Sequence, residues 1–277
     1  MTTELPDPDS SPTQHDTAVL CERHGAVLQL TLNNPRRKNA LTGEMIETII
    51  HEVDGATSSD AVRVITLRAN GKDFCTGIDL AESNSAQERP KAGHLQRRLS
   101  QNAHRMIRLL HELQLPVVAG VSGWAAGIGN ALALSADVVI ADETAKFWVP
   151  FVGKGFTPDS ANTYLLPRLI GIARAKEMIL RSKPIGARQA LEWGLIGQVV
   201  AEGELDTAVN SVADEFSNAA TLAVGLAKTL IHRNLDGTFA DALANEAIYE
   251  ELAIRTDDFK EGIKAFMQKR PPEYTGR

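Results

Sequence analysis

The order of apolar patterns along this 277-residue chain predicts an α/β protein that ends in a run of helices. Three observations carry that prediction. Strand, strand and helix signals recur in sequence through the first two thirds of the chain, which implies crossover connections. Two glycine-punctuated segments each join a β-rich run to a helix-compatible stretch. Near Glu204 the composition changes, and only helical periodicity follows.

The elements follow in order. Residues 18–21 and 26–32 read as strands, the second with apolar alternation. Residues 42–53 read as a helix with Met45, Ile46, Ile49 and Ile50 on one face. A strand over 62–68 leads into the first glycine segment. Residues 82–94 are polar, contain Pro90, and read as a loop suited to cover a site. A helix over 99–113 presents Ala103, Met106, Ile107, Leu110 and Leu113 as one buried stripe. A strand over 116–121 precedes the second glycine segment and a short helix ending near Ser135. Short strands are expected over 137–141, 145–149 and 197–200, with helices over 160–166, 173–180 and 187–193. The remaining helices are expected over 205–217, 219–232, 239–254 and 257–269.

Bulk properties exclude several classes. A hydrophobic share of 43% with 23% charged residues is that of an ordinary globular protein with a sizeable core. A net charge of −6 argues against general nucleic-acid binding, so an anionic ligand needs a local basic cluster. No apolar run is long enough to span a bilayer, and no secretory leader pattern opens the chain. Cys21 and Cys75 stand far apart without metal or redox spacing, which fits a reducing compartment and an expected cytoplasmic location. Residues 1–16, rich in Pro, Ser, Thr and Asp, read as a disordered tail. The division expected is therefore tail 1–16, α/β core 17–204 and helical region 205–277. No metal cluster and no redox-cofactor fingerprint is present.

Chemistry concentrates in the glycine segments, Asp73-Phe74-Cys75-Thr76-Gly77-Ile78-Asp79-Leu80 and Gly123-Trp124-Ala125-Ala126-Gly127-Ile128-Gly129-Asn130-Ala131-Leu132-Ala133. Tight turns there let backbone N–H groups converge on one anionic oxygen, the working principle of an oxyanion hole. The same glycines also serve as plain connections in any α/β fold.

Together with Leu32-Asn33-Asn34-Pro35, Lys38-Asn39-Ala40-Leu41, Pro167-Arg168-Leu169-Ile170-Gly171 and Ala190-Leu191-Glu192-Trp193-Gly194-Leu195, these segments resemble the enoyl-CoA hydratase/isomerase (crotonase) superfamily. The matches run in order along nearly the whole chain after Ala18. The resemblance implies a spiral of repeated ββα units followed by C-terminal helices that build a homotrimer, often paired into a hexamer. It also implies a coenzyme A thioester as substrate, with coenzyme A part of that substrate and no separate cofactor. The thioester oxygen would accept hydrogen bonds from the backbone N–H groups of Ile78 and Ile128. Ile128 stands where the family often has glycine; its β-branch requires negative φ, and a helix start there adds positive potential.

By the same resemblance Arg36, Lys38 and Ala40 meet the nucleotide part of coenzyme A, where cations suit phosphates. Phe266 and Lys269 match residues that reach a neighbouring subunit's ligand, although an amphipathic terminal helix explains them equally. The two glutamates of the hydratases are replaced by Ala131 and Phe151, and neither side chain can move a proton. With Trp148 they become acyl-pocket residues, and water addition loses its acid and base.

Asp159 is the candidate replacement. It matches an aspartate that serves as a base on carbon acids in dienoyl-CoA and ring-epoxide isomerases of the family. An aspartate after proline and before a helix is also a good N-cap. His104 adds an alternative, because the stretch 159–166 resembles the 4-chlorobenzoyl-CoA dehalogenases, in which an aspartate nucleophile works with a histidine base. Those enzymes have tryptophans where this chain has Ala103 and Phe151. The expected reaction is double-bond isomerisation with Asp159 as base; hydrolytic substitution by Asp159 and His104, or acyl-CoA binding without catalysis, are the alternatives.

Overall fold

The computed structural model describes residues 17–79 and 91–277. The tail 1–16 and most of the expected loop 82–94 lie outside them.

Strands β1 (Val19–His24) and β2 (Val27–Leu32) form an antiparallel hairpin at the edge of a six-stranded sheet. β3 (Val64–Ala69), β4 (Val117–Val121), β6 (Val138–Asp142) and β9 (Gln198–Val200) then add in parallel, giving the order β1-β2-β3-β4-β6-β9. The all-buried run of β4 reflects that placement, since a central parallel strand is covered on both faces. Three short strands, β5 (Trp124–Ala126), β7 (Lys146–Trp148) and β8 (Ile185–Gly186), make a second sheet. The sequence gives no separate signal for β5 or β8, because each is too short to show alternation.

Helix α1 (Gly43–Thr57) is capped by Thr42, whose Oγ1 accepts from the Met45 N–H at 3.2 Å. Its predicted face is buried, with Val53 and Ala56 added. The helix expected over 99–113 is instead two helices, α2 (His94–Gln101) and α3 (Ala103–Glu112), broken at Asn102 (φ −120°, ψ −94°). α2 has no fully buried residue and meets the core only through half-buried Leu99, whereas Ala103, Met106, Ile107 and Leu110 anchor α3 in the core, so packing fixes chiefly the second half. Helix α4 (Ile128–Leu134) is wholly buried. Helix α5 (Asn162–Leu180) contains a non-helical Gly171, which separates the two helices read from the sequence. Helix α6 (Ala187–Trp193) precedes β9.

Helix α7 (Leu205–Ser217) lays Val209 and Ala213 against Val64, Val118 and Ile140 on one face of the large sheet. The larger core fills the other face, with Leu30, Ile65, Met106 and Leu132 among its members. Helices α8 (Thr221–Asn234), α9 (Phe239–Ala253) and α10 (Asp257–Gln268) complete the chain. α9 buries none of its residues and leaves Phe239 81% exposed.

Where α8 meets α3, the rings of His232 and His111 stack with centroids 4.1 Å apart. Nearby, buried Lys228 pairs with Asp137 at 2.8 Å. Burial first, then His232, Lys228 and Arg168, push His111 from the ordinary 6.5 down to about 4. Burial likewise lowers His232. A histidine depressed in the folded state is protonated first in the unfolded chain. Stability is therefore intact above about pH 6.5 and is lost as pH falls from there toward about 4, by about 1–2 kcal/mol after allowing for solvent screening. Denaturant melts of the protein and of His111→Phe across that range check this: the variant should show the shallower slope.

Candidate active site

The first glycine segment runs beside the second as an extra pair of strands. Phe74 N–H donates to the Ser122 carbonyl and Cys75 N–H to the Trp124 carbonyl, both at 2.8 Å, and Ala126 N–H returns to the Cys75 carbonyl at 2.9 Å. Asp73 Oδ1 accepts from Trp124 N–H at 3.0 Å. The turn that follows β5 is set by Gly127, at φ 58° and ψ −119°, a region closed to residues with a side chain. Its N–H donates to the Trp148 carbonyl at 2.9 Å. Ile128 is thus the first residue of α4, and helical φ suits its β-branch.

Ile78 sits in a parallel bridge with Leu41. Leu41 N–H donates to the Gly77 carbonyl and Asp79 N–H to the Leu41 carbonyl, each at 2.8 Å. The Ile78 N–H between them therefore faces the other way. Among the described residues neither it nor the Ile128 N–H has a hydrogen-bond partner in the protein. Two unengaged amides on interlocked turns are what binding of a developing oxyanion requires. Ile78 is 39% exposed, so its turn is open to a ligand.

Asp159 lies just before α5. The N-cap of that helix is Ala161, with no side-chain cap bond, so Asp159 is not spent on the helix amides. Its Oδ1 accepts from Ser160 Oγ at 3.0 Å. Ser160 and Ala161 both have positive φ, 53° and 63°. Two consecutive left-handed residues with side chains store about 1–3 kcal/mol each and persist only where their surroundings hold them. The clamp is Asn162, fully buried, whose Nδ2 donates to the carbonyls of Asp159 (2.9 Å) and Gly127 (3.1 Å). Two carbonyl partners fix that amide's orientation, so its Oδ1 must accept from Asn130 Nδ2, at 2.8 Å. His104 comes to the same loop: its Nε2 accepts from Ser160 N–H at 3.4 Å. The structure therefore brings both candidate catalytic side chains to one short segment.

Ala131 is fully buried in α4. The Phe151 ring lies beside the Gly127 turn, 3.6 Å from where a Cβ would stand, and meets Phe156 edge-on at 5.2 Å. Phe151 and Phe156 thus form an aromatic wall beside the turn. Trp148 braces the turn through its carbonyl, while its indole N–H goes to the Ser182 carbonyl at 2.8 Å. Two clefts are present among the described residues, neither lined by Ile78, Ile128 or Asp159. One of about 790 Å³ is lined by Glu44, His51, Asp54, Arg98 and Arg105; another of about 590 Å³ is lined by Lys72, Asp73, Trp124 and Lys146. The unpaired amides and the strained loop mark the site better than either cleft.

Arg36 and Lys38 are exposed and Ala40 half-buried, on the turn that follows β2. The Lys38 carbonyl accepts both the N–H and Oγ1 of Thr76 at 3.2 Å, so this basic turn is docked on the Ile78 segment. Phe266 (83% exposed) and Lys269 end α10. Among the described residues no hydrogen bond, ion pair or ring contact joins them to the site. Three asparagines escape the sequence reading. Asn39, fully buried, joins the Asn34 N–H to the carbonyls of Asn70 and Asp73. Its place inside a motif block was the available signal. Asn130 and Asn162 also stand inside motif stretches, but burial of an amide is not visible in one sequence.

Comparison with known proteins gives the same frame. A family model for enoyl-CoA hydratase/isomerase matches residues 22–277. The chain is 36% identical over 259 residues to 1,2-epoxyphenylacetyl-CoA isomerase from Escherichia coli K12, covering 94% of this chain and 98% of that one. It is 34% identical to short-chain-enoyl-CoA hydratase from Clostridium acetobutylicum, over 92% and 96% of the two chains. Among solved structures, the enoyl-CoA hydratase from Bacillus anthracis superposes with a TM-score of 0.87 at 29% identity, over 94% of this chain and all of that one. The chain belongs to the enoyl-CoA hydratase/isomerase family and has the crotonase fold.

Proposed function

We propose that this protein is an isomerase that moves a double bond in a coenzyme A thioester through an enolate. The observation that carries the reading is the acid–base inventory around the two free amides. Ala131 and Phe151 offer no proton at the hydratase positions; buried Asp79, beside Ile78, is ion-paired to Arg37 at 3.1 Å, and Asp159, on a strained loop, is the carboxylate taken as the base. The Ile78 and Ile128 amides would take the thioester oxygen and stabilise negative charge as an α- or γ-proton leaves carbon. Asp159 would accept that proton and return it at the other end of the conjugated system, leaving mass unchanged. The relative from Escherichia coli is named an isomerase and that from Clostridium acetobutylicum a hydratase, so the reading rests on the site residues.

The rest of the proposal concerns binding and assembly. Arg36, Lys38 and Ala40 would receive the nucleotide end of coenzyme A. Exposed Phe239, Leu243, Ile248 and Leu252 on α9 support a homotrimer or paired trimers, in which Phe266 and Lys269 would reach a neighbour's ligand. Among the described residues no helix is long and apolar enough to cross a membrane. Free Cys21 and Cys75 are compatible with a cytoplasmic setting.

One observation favours a second reading. His104 lies on the Ser160 amide, next to Asp159, which is where a histidine base would serve an aspartyl intermediate. Product analysis separates the two. With trans-3-hexenoyl-CoA and trans-2-hexenoyl-CoA the isomerase returns products of unchanged mass with a shifted double bond. Gain of water would overturn the proposal, as would heavy-oxygen label from solvent appearing in Asp159 during turnover.

A further inference from the structure

Resting on the isomerase reading, we infer that Asn162, braced by Asn130, is a positioning residue that sets the reach between the oxyanion turn and Asp159. One side chain joins the two halves of the proposed chemistry. Asn162 Nδ2 donates to the Gly127 carbonyl, immediately before the Ile128 amide, and to the carbonyl of Asp159 itself. The Asn162 backbone N–H donates to the Asp159 carbonyl as well, at 3.1 Å. Asn130, also fully buried and on α4, donates to Asn162 Oδ1 and so stops the amide from turning over.

The tie works against a load. Ser160 and Ala161 hold left-handed backbone that side chains disfavour, so a loop released from Asn162 relaxes away from this geometry. A purely structural bridge would stabilise the fold without favouring one step of the reaction. A positioning bridge instead controls where the carboxylate stands relative to the carbon acid, and misplacement by about 1 Å costs about 100-fold in rate.

The test uses the full-length protein with trans-3-hexenoyl-CoA, following the conjugated product. Asn162→Ala should lower kcat about 100-fold and change KM less than about threefold. In an Asp159→Asn background the same change should cost less than about twofold more, because Asn162 acts through Asp159. Adding Ser160→Gly and Ala161→Gly to Asn162→Ala should recover about tenfold in kcat, since glycine removes the load. Hydrogen exchange at the amides of residues 160–162 should quicken in Asn162→Ala and not in Asp159→Asn. Should Asn162→Ala fail to fold, Asn130→Ala is read in its place, with kcat falling about fivefold at constant KM.

A loss carried by KM, an equal loss in the Asp159→Asn background, or no recovery with the glycines would overturn the inference. The isomerase reading fails separately, if Asp159→Asn keeps full turnover or the wild-type protein shifts no double bond.

Discussion

On the isomerase reading, Asp159→Asn should lower kcat for double-bond isomerisation by about 1,000-fold, within the 10²–10⁴ that a positioned acid or base contributes. The substitution keeps the size of the side chain and an oxygen able to accept from Ser160 Oγ, now 3.0 Å from Asp159 Oδ1. It removes only the ability to take and return a proton. KM should change less than about threefold, because on the same reading the thioester oxygen and nucleotide end would meet other residues. Melting should also be unchanged within about 0.5 kcal/mol. That second measurement has force because the N-cap of α5 is Ala161: an aspartate serving mainly as a cap would cost stability instead of turnover. Steady-state kinetics and a thermal melt on the same preparation decide it, and full turnover in the variant would end the assignment.

The fold was legible because its signals are long. The stripe Met45, Ile46, Ile49, Ile50 and the run 117–121 bury as their periodicity requires. Failures came where packing overrides pattern. Residues 99–113 carry one helical stripe, yet only the part from Ala103 is buried, Leu99 meeting the core's edge alone, and the chain breaks at Asn102. Of the site, the backbone turns were readable because glycine spacing reports a conformation directly. Gly127 at positive φ and Ile128 in helix divide the labour as the sequence suggested. The clamp on Asp159 was not readable. Ser160 and Ala161 give no hint of left-handed backbone, since neither residue type favours it. The contacts on that loop join distant parts of the chain: Asn130 meets Asn162 across 32 residues, and His104 meets the Ser160 amide. The stacked pair His111 and His232 is hidden for the same reason: it belongs to the docking of two distant helices.

Gly129→Ala is expected to be a severely damaging single-methyl change in the site, and there the reason is space, not backbone conformation. A Cβ at this position would stand 2.3 Å from the Cys75 carbonyl oxygen, 2.7 Å from its Cβ and 2.8 Å from its Sγ. The nearest of these atoms is backbone, and that carbonyl already accepts from Ala126 N–H at 2.9 Å. The methyl is therefore accommodated only if the two glycine segments move apart. Overpacking of this kind costs about 1–3 kcal/mol of stability. The larger effect falls on chemistry, because the Ile78 amide belongs to one segment and the Ile128 amide to the other. Separating them should lower kcat/KM by about 100–1,000-fold, as loss of one oxyanion donor does. Trimming the neighbour by Cys75→Ala removes the sulfur but leaves the carbonyl in place, so the double variant should regain little activity. Full recovery in that double variant would mean that the sulfur alone sets the limit and that the main-chain contact between the segments does not hold the two amides together.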